Sequence, residues 1–212
     1  MSDGFTRSDR KRAERIALLE RSAAKIFAQK GFEATSFDDV ALTLDLRGPS
    51  LYHYFASKED LFLGCIRRSA TEVFARLDAI VSDTNLVSGP RVTLEALFRE
   101  QILIEIRDYP EFVPLFFRLL IPVPTLQSEV LQIRRNHAAL FERITLLALG
   151  SQTSLASDDR VRLEIAFGAL SYLPSWYRPE GALAPEELAN RMARHLVDVV
   201  VPVDRFTTGS IV

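Results

Sequence analysis

The sequence predicts an all-α fold in two parts, a small amino-terminal helical module followed by a larger helical domain. Three observations lead there. From Arg10 onward apolar residues recur at steps of three and four, the period of a helix with one buried face. Strand-like alternation, internal repeats and low-complexity tracts are absent from the pattern. Glycines, prolines and capping polar residues interrupt the periodic runs where helices would start and stop. With 212 residues, 48% hydrophobic and 25% charged, the chain has enough apolar material for a small module and one larger core.

Residues 1–9 lack apolar periodicity and read as a flexible arm. The first helix starts near Arg10, buries Ile16, Leu19, Ala23, Ile26 and Phe27, and stops at Gly31. Ser36 begins the second, its hydroxyl capping free amides while Asp39, three residues on, completes a capping box over a helix of residues 37–44. Asp45 tolerates a left-handed turn, and Pro49 fits only the first turn of a new helix, here residues 47–55. Ser57 then caps a fourth helix opening with Lys58, Glu59 and Asp60. Two short helices joined by a tight turn and braced by a longer one describe a helix-turn-helix, assigned to residues 10–57.

Residues 58–212 read as helical throughout, for about nine helices in all. The fourth helix runs to Val81, a polar break follows, and Pro90 opens a helix reaching Arg107. Tyr109 and Pro110 start a short helix that Pro122 and Pro124 end. A long helix of residues 127–149 stops at Gly150. Ser157 caps the next, with Asp158 and Asp159 complementing its dipole, and it ends near Pro174. Pro185 opens the last, which ends before Pro202.

The formal net charge of −2 gives no nucleic-acid signal, but its distribution does. Between Arg7 and Lys25 the bases Arg7, Arg10, Lys11, Arg12, Arg15, Arg21 and Lys25 outnumber the acids Asp9, Glu14 and Glu20. Such a run is either a solvated face or an electrostatic footprint for a polyanion. The single cysteine, Cys65, excludes an intrachain disulfide or a thiolate cluster and reads as a small core thiol. The histidines His53, His137 and His195 fall on separate helices without metal-ligand spacing. No Gly-x-Ser-x-Gly elbow or phosphate loop is present, and the acid pairs Asp158–Asp159 and Glu186–Glu187 sit at helix starts, where dipole compensation explains them. An enzyme, a metal site and a cofactor are therefore not expected. No apolar stretch approaches the roughly 20 residues of a membrane span, and the polar amino terminus is unlike a signal peptide, so a cytoplasmic protein with no membrane partner is expected.

The run Gly31-Phe32-Glu33-Ala34-Thr35-Ser36-Phe37-Asp38-Asp39-Val40-Ala41, followed by Ser50-Leu51-Tyr52-His53-Tyr54-Phe55-Ala56-Ser57-Lys58-Glu59-Asp60-Leu61, resembles the DNA-binding signature of the TetR family of transcriptional regulators. The resemblance spans about residues 10–61. It implies a homodimeric repressor bound to a double-stranded, palindromic DNA operator and released by a small-molecule effector. The candidate DNA-binding residues are Thr35, Ser36, Arg47, Gly48, Ser50, Tyr52, His53 and Lys58. Thr35 and Ser36 at one helix start and Lys58 at another would grip phosphates. By resemblance Tyr52 and His53 face the duplex, while Leu51, Tyr54 and Phe55 lean into the core. Arg47 either makes a bidentate guanine contact or pins a phosphate. Gly48 departs from the commonest family pattern, which leaves base reading to Arg47, Ser50, His53 and DNA shape.

The candidate effector residues are Phe112, Phe116, Phe117, Arg118, Arg134, His137 and Trp176. The apolar segment 112–121 either lines a cavity or is plain core, and Arg118, Arg134, Arg135 and His137 suit an anionic group or are solvated. The stretch around Trp176 and Tyr177 resembles the last helix junction of family members that govern fatty-acid, steroid and aromatic-acid catabolism, several of which sense acyl-CoA thioesters. An acyl-CoA is the leading effector and a neutral hydrophobic drug or metabolite the alternative. The candidate dimer residues are Ile165, Gly168, Ala169 and Tyr172 on the penultimate helix and Leu188, Met192, Leu196 and Val199 on the last. A helical interaction module without DNA binding is the competing reading.

Overall fold

The computed structural model of the chain describes residues 6–43, 46, 48–83, 89–118, 121, 123–151 and 153–203. Among these, seven α-helices are joined by one 3₁₀ helix and two π-helical turns, with no strand. The α-helices are α1 (Arg7–Lys30), α2 (Phe37–Thr43), α3 (Lys58–Asp83), α4 (Pro90–Leu103), α5 (Pro124–Ala148), α6 (Ser157–Trp176) and α7 (Pro185–Val200). The 3₁₀ helix is Gly48–His53, and the π turns are Ile104–Asp108 and Pro114–Arg118. No helix among the described residues is long and apolar enough to cross a membrane.

The chain forms two compact units, residues 1–72 with 111–131 and residues 73–110 with 132–212. The first unit takes in more of the chain than residues 10–57, and both α3 and α5 contribute to each unit. Its centre is a ring cluster: Phe62 meets Phe27 edge-on at 4.9 Å and Phe32 at 5.1 Å, all three buried. Helix α1 begins at Arg7, earlier than the expected Arg10, because Thr6 and Asp9 form a capping box. It ends where Gly31 takes φ 87°, a conformation that disfavours any side chain. The Ser36–Asp39 capping box is present. The helix expected over 47–55 is a tighter 3₁₀ turn, anchored by fully buried Leu51, whose carbonyl accepts from both Tyr54 and Phe55. The short helix expected from Tyr109 starts later, at Phe112, and continues as a π turn over Pro114–Arg118. Pro124 starts α5 instead of ending the segment before it, since the first helical position has no use for the missing N–H. Pro122 and Asp45 lie outside the described residues.

In the second unit α7 packs along α4, burying Leu188, Ala189, Ala193, Leu196, Val197 and Val200. Arg99 reaches Asn190 at 2.6 Å, and Arg91 pairs with Asp198. Arg76 gathers Glu100 and, at 2.7 Å, Asp108, while Arg107 bridges Asp108 and Glu186 at 2.8 and 2.6 Å. Helix α6 is capped by Ala156 without a side-chain bond, so Ser157 is its first residue and not its cap. The helix also runs past Pro174 to Trp176.

Candidate nucleic-acid interface

Gly48–His53 follows α2 after a short connection, and the two elements pack together. Leu51 and Phe55 point into the core of the first unit, which leaves Tyr52 and His53 on the outside. Tyr52 is 65% exposed, its ring 4.6 Å from that of Phe37. His53 is exposed at the end of the turn, Ser50 is half-buried and Gly48 opens it. Arg47 lies outside the described residues.

Three expected phosphate-gripping side chains are engaged within the protein. The Thr35 hydroxyl is buried and donates to the Gly31 carbonyl at 2.7 Å, so it ties α1 to the turn before α2. The Ser36 hydroxyl shares the Asp39 carboxylate with its own backbone N–H. Lys30 and Ser36 together hold the Asp39 carboxyl well below the usual carboxylate range. The Lys58 ammonium donates to the Phe32 and Glu33 carbonyls at 3.1 and 3.4 Å and sits over the Phe32 ring at 4.5 Å. It thereby closes the loop between α1 and α2. At the start of α3, Ser57 caps the Asp60 N–H at 3.2 Å.

Two residues absent from the sequence reading of this face emerge. Lys30 binds Asp39, and Arg12 donates to the His53 carbonyl at 3.1 Å while its guanidinium lies 5.3 Å from the Tyr54 ring centre. The basic run of α1 held the signal for Arg12; its partner 41 residues away is a matter of tertiary structure. Cys65 is buried and donates to the Glu20 carbonyl at 3.1 Å, and burial pushes its thiol up, as suits a core thiol. Among the described residues no group of three or more His, Cys, Asp or Glu side chains is placed to hold a metal ion.

The candidate effector residues divide between the units. In the first, Phe112 and Phe116 are buried ring to ring at 4.7 Å, whereas Phe117 and Arg118 are exposed. In the second, His137 is buried among Phe141, Phe167 and Phe74 at 5.0, 5.9 and 6.4 Å. Its Nε2 lies 2.9 Å from Gln101 Oε1, and Gln101 donates to Glu105 at 2.7 Å. Burial pulls the His137 pKa down to about 4, so the ring is neutral near pH 7 and supplies no cation for an anionic ligand. Arg134 is half-buried. Trp176, half exposed, borders a separate cleft of about 320 Å³ with Tyr177, Arg178, Leu183 and Leu188. Gln101, Glu105 and Thr145, buried polar residues of this unit, carried no mark in the sequence pattern beyond lying on apolar faces.

Of the candidate dimer residues, Ile165 and Tyr172 are 55% and 65% exposed, and a Cβ on Gly168 would meet nothing within 4 Å. Ala169 and Met192 are half-buried and Val199 is exposed. Leu188 and Leu196 are buried within the chain, on the side of α7 that packs against α4. The exposed apolar stripe on α6 instead extends through Val161 and Trp176.

A capped helix-turn-helix in one unit, followed by a second all-helical unit, is the make-up of a transcriptional regulator of the helix-turn-helix class. Residues 21–65 match the bacterial regulatory proteins of the tetR family, and residues 89–200, more than half of the 212, match the tetracyclin repressor-like C-terminal domain. The chain belongs to the TetR family, whose members are transcriptional regulators and not enzymes. The transcriptional repressor KstR2 of Mycobacterium tuberculosis is 38% identical over 86 residues, a stretch spanning 41% of this chain and 41% of that relative's length. A TetR/AcrR-family regulator from Thermobifida fusca is similar in structure, with TM-score 0.63 and 26% identity over 87% of this chain and 97% of that one. AibR, solved with isovaleryl coenzyme A and operator DNA, shares the fold at TM-score 0.71 and 20% identity over 89% and 98% of the two chains.

Proposed function

We propose that the protein is a cytoplasmic repressor that binds a palindromic operator as a homodimer and leaves it when a small effector binds. Residues 10–57 form the DNA-reading part and residues 58–212 the effector and dimer part. The observation that carries the reading is the outward display of Tyr52 and His53 on a turn whose Leu51 and Phe55 are locked in the core. Inserted in a major groove, that turn presents base-contacting side chains on a rigid support. A gel-shift assay with DNA from upstream of the protein's own gene tests it. Binding that survives loss of both side chains in Tyr52→Ala/His53→Ala would remove the turn from the groove.

The effector we infer is an acyl-CoA. Two similar proteins supply the chemistry, KstR2, described as a ketosteroid regulator, and AibR with its isovaleryl coenzyme A. Aromatic surface in the second unit suits the acyl part, and Arg134 of the same unit suits the anionic part better than neutral His137. Release requires the effector to bind the DNA-incompetent arrangement better, by about 5.5 kcal/mol to move an equilibrium from 1:99 to 99:1. Filling an apolar site supplies that more readily than one exposed ion pair. Titrating the protein–DNA complex with acyl-CoAs, free CoA and neutral hydrophobic drugs separates the candidates. Release by drugs alone replaces the acyl-CoA with the neutral alternative.

The dimer is assigned to the exposed stripe of α6, Val161, Ile165, Gly168, Tyr172 and Trp176, with Met192 and Val199 of α7 alongside. One stripe of helical period, exposed among the described residues, supports it. Sedimentation showing a monomer at micromolar concentration with full DNA binding would overturn this.

A further inference from the structure

The last carbonyls of a helix have no partner inside it, and the end of a six-residue 3₁₀ turn has little else to hold it in place. In Gly48–His53 that end is held from outside. Arg12, five residues into α1, donates from Nη2 to the His53 carbonyl at 3.1 Å, and its guanidinium covers the next residue, Tyr54, at 5.3 Å from the ring centre. A cation is well placed at a helix carboxyl end, and a charged donor makes a stronger hydrogen bond than a neutral one. Leu51 and Phe55 anchor the turn in the core and the Tyr52 ring lies against Phe37, but among the described residues Arg12 is the side chain that bonds its last carbonyl. Arg12 also lies outside residues 21–65, the stretch matched to the family's DNA-binding part.

We propose that Arg12 is a positioning residue for DNA recognition: it clamps the carboxyl end of the recognition turn to α1 and so fixes the angle at which Tyr52 and His53 are presented. The role differs from that of the basic residues around it. A phosphate contact adds affinity for any duplex and increases the salt dependence of binding, whereas a clamp adds affinity only where side chains must meet base edges. Charge and donor both matter, so lysine, with an ammonium able to reach the same carbonyl and ring, restores part of the function and alanine none.

The inference rests on Gly48–His53 being the base-reading element. The probes are the duplex that the full-length protein enriches from a random-sequence pool and a scrambled duplex of equal composition, each titrated by fluorescence anisotropy at several salt concentrations. Arg12→Ala is expected to weaken the enriched duplex about tenfold, equivalent to about 1.4 kcal/mol, to change the scrambled duplex less than about twofold, and to leave the salt slope unchanged. Arg12→Lys should recover at least half of the loss on a logarithmic scale. Equal weakening of both duplexes with the slope reduced by about one overturns the clamp in favour of a phosphate contact. Unchanged binding of the enriched duplex overturns it outright. If Arg12→Ala does not fold by circular dichroism, Arg12→Lys and Arg12→Gln decide: discrimination between the duplexes must follow the order Arg, Lys, Gln, and equal discrimination in all three rejects the proposal. Tyr52→Ala and His53→Ala run in parallel; silence in both dismisses the base-reading turn itself, a failure distinct from silence at Arg12 alone.

Discussion

Two aromatic clusters organise the two units, and they differ in what they enclose. In the first unit Phe27, Phe32 and Phe62 pack ring to ring, two of the three contacts edge-on. In the second, Phe74, Phe141 and Phe167 surround an imidazole, His137, tied to Gln101 and through it to Glu105. Nearby in sequence on α5, Thr145 is fully buried and its hydroxyl has no hydrogen-bond partner among the described residues. The first cluster is the kind that makes a small module rigid. The second exchanges some apolar burial for polar groups whose positions must be satisfied together, which specifies one packing and penalises others.

The largest effect should come from emptying the first cluster. Phe62→Ala removes a fully buried ring with contacts at 4.9 and 5.1 Å, at a cost of about 3–5 kcal/mol read by urea unfolding, with DNA binding lost alongside. A loss under about 1 kcal/mol would mean that the module is held by its caps and not its core. The second cluster should reveal itself through pH. His137 ionises near 6.5 when unfolded but only at about 4 when folded, so the unfolded chain binds the extra proton between these values. Stability is therefore complete above pH 6.5 and falls on acidification to about pH 4, by roughly 3 kcal/mol in all. His137→Gln should flatten the stability profile in that window, and an unchanged slope would assign it to other groups.

A smaller effect tests the local capping of the first unit. Ser36→Ala removes the hydroxyl that accepts from the Asp39 N–H and should cost about 1 kcal/mol in thermal or chemical unfolding. Smallest for folding is Ile165→Glu on the exposed stripe, expected within about 0.5 kcal/mol for the monomer. The same change should convert a dimer to monomers in sedimentation if the α6 face is the interface. Leu196→Glu, by contrast, should unfold the α4–α7 packing before it reports on any dimer.

These contrasts track how much was legible in the sequence. The first unit is written in local chemistry: Gly31, the Ser36–Asp39 box and Ser57 mark boundaries that the structure places as expected, and the Thr6–Asp9 box carried the same signal for the true start of α1. The second unit depends on partners far apart in the chain. Arg76 with Glu100 and Asp108, Arg99 with Asn190 and His137 with Gln101 leave no periodic trace, so the buried polar network went unread. Proline was ambiguous for a related reason. At Pro124 it opens a helix and at Pro174 it lies within a last turn, and only the neighbouring backbone decides which. For α7 the periodicity found Leu188 and Leu196 of the buried face but also took in half-buried Met192 and exposed Val199, and a period cannot say whether a face meets its own chain or another.

Where α4 ends, the bonding lengthens: the Tyr109 N–H reaches back five residues to the Ile104 carbonyl at 2.8 Å. A π turn of this kind amounts to one residue accommodated within an α-helical path. Losing a single residue there would let the ladder close as an ordinary α-helix, turning whatever follows by about 100°. Arg107 and Asp108 ride on that turn and hold Glu186 and Arg76, so these ion pairs depend on its geometry. Aligned relatives with a one-residue gap between 104 and 108 should therefore also lack acidic or basic partners matching Arg76 and Glu186, a correlated absence that leaves its record in sequence and not in stability.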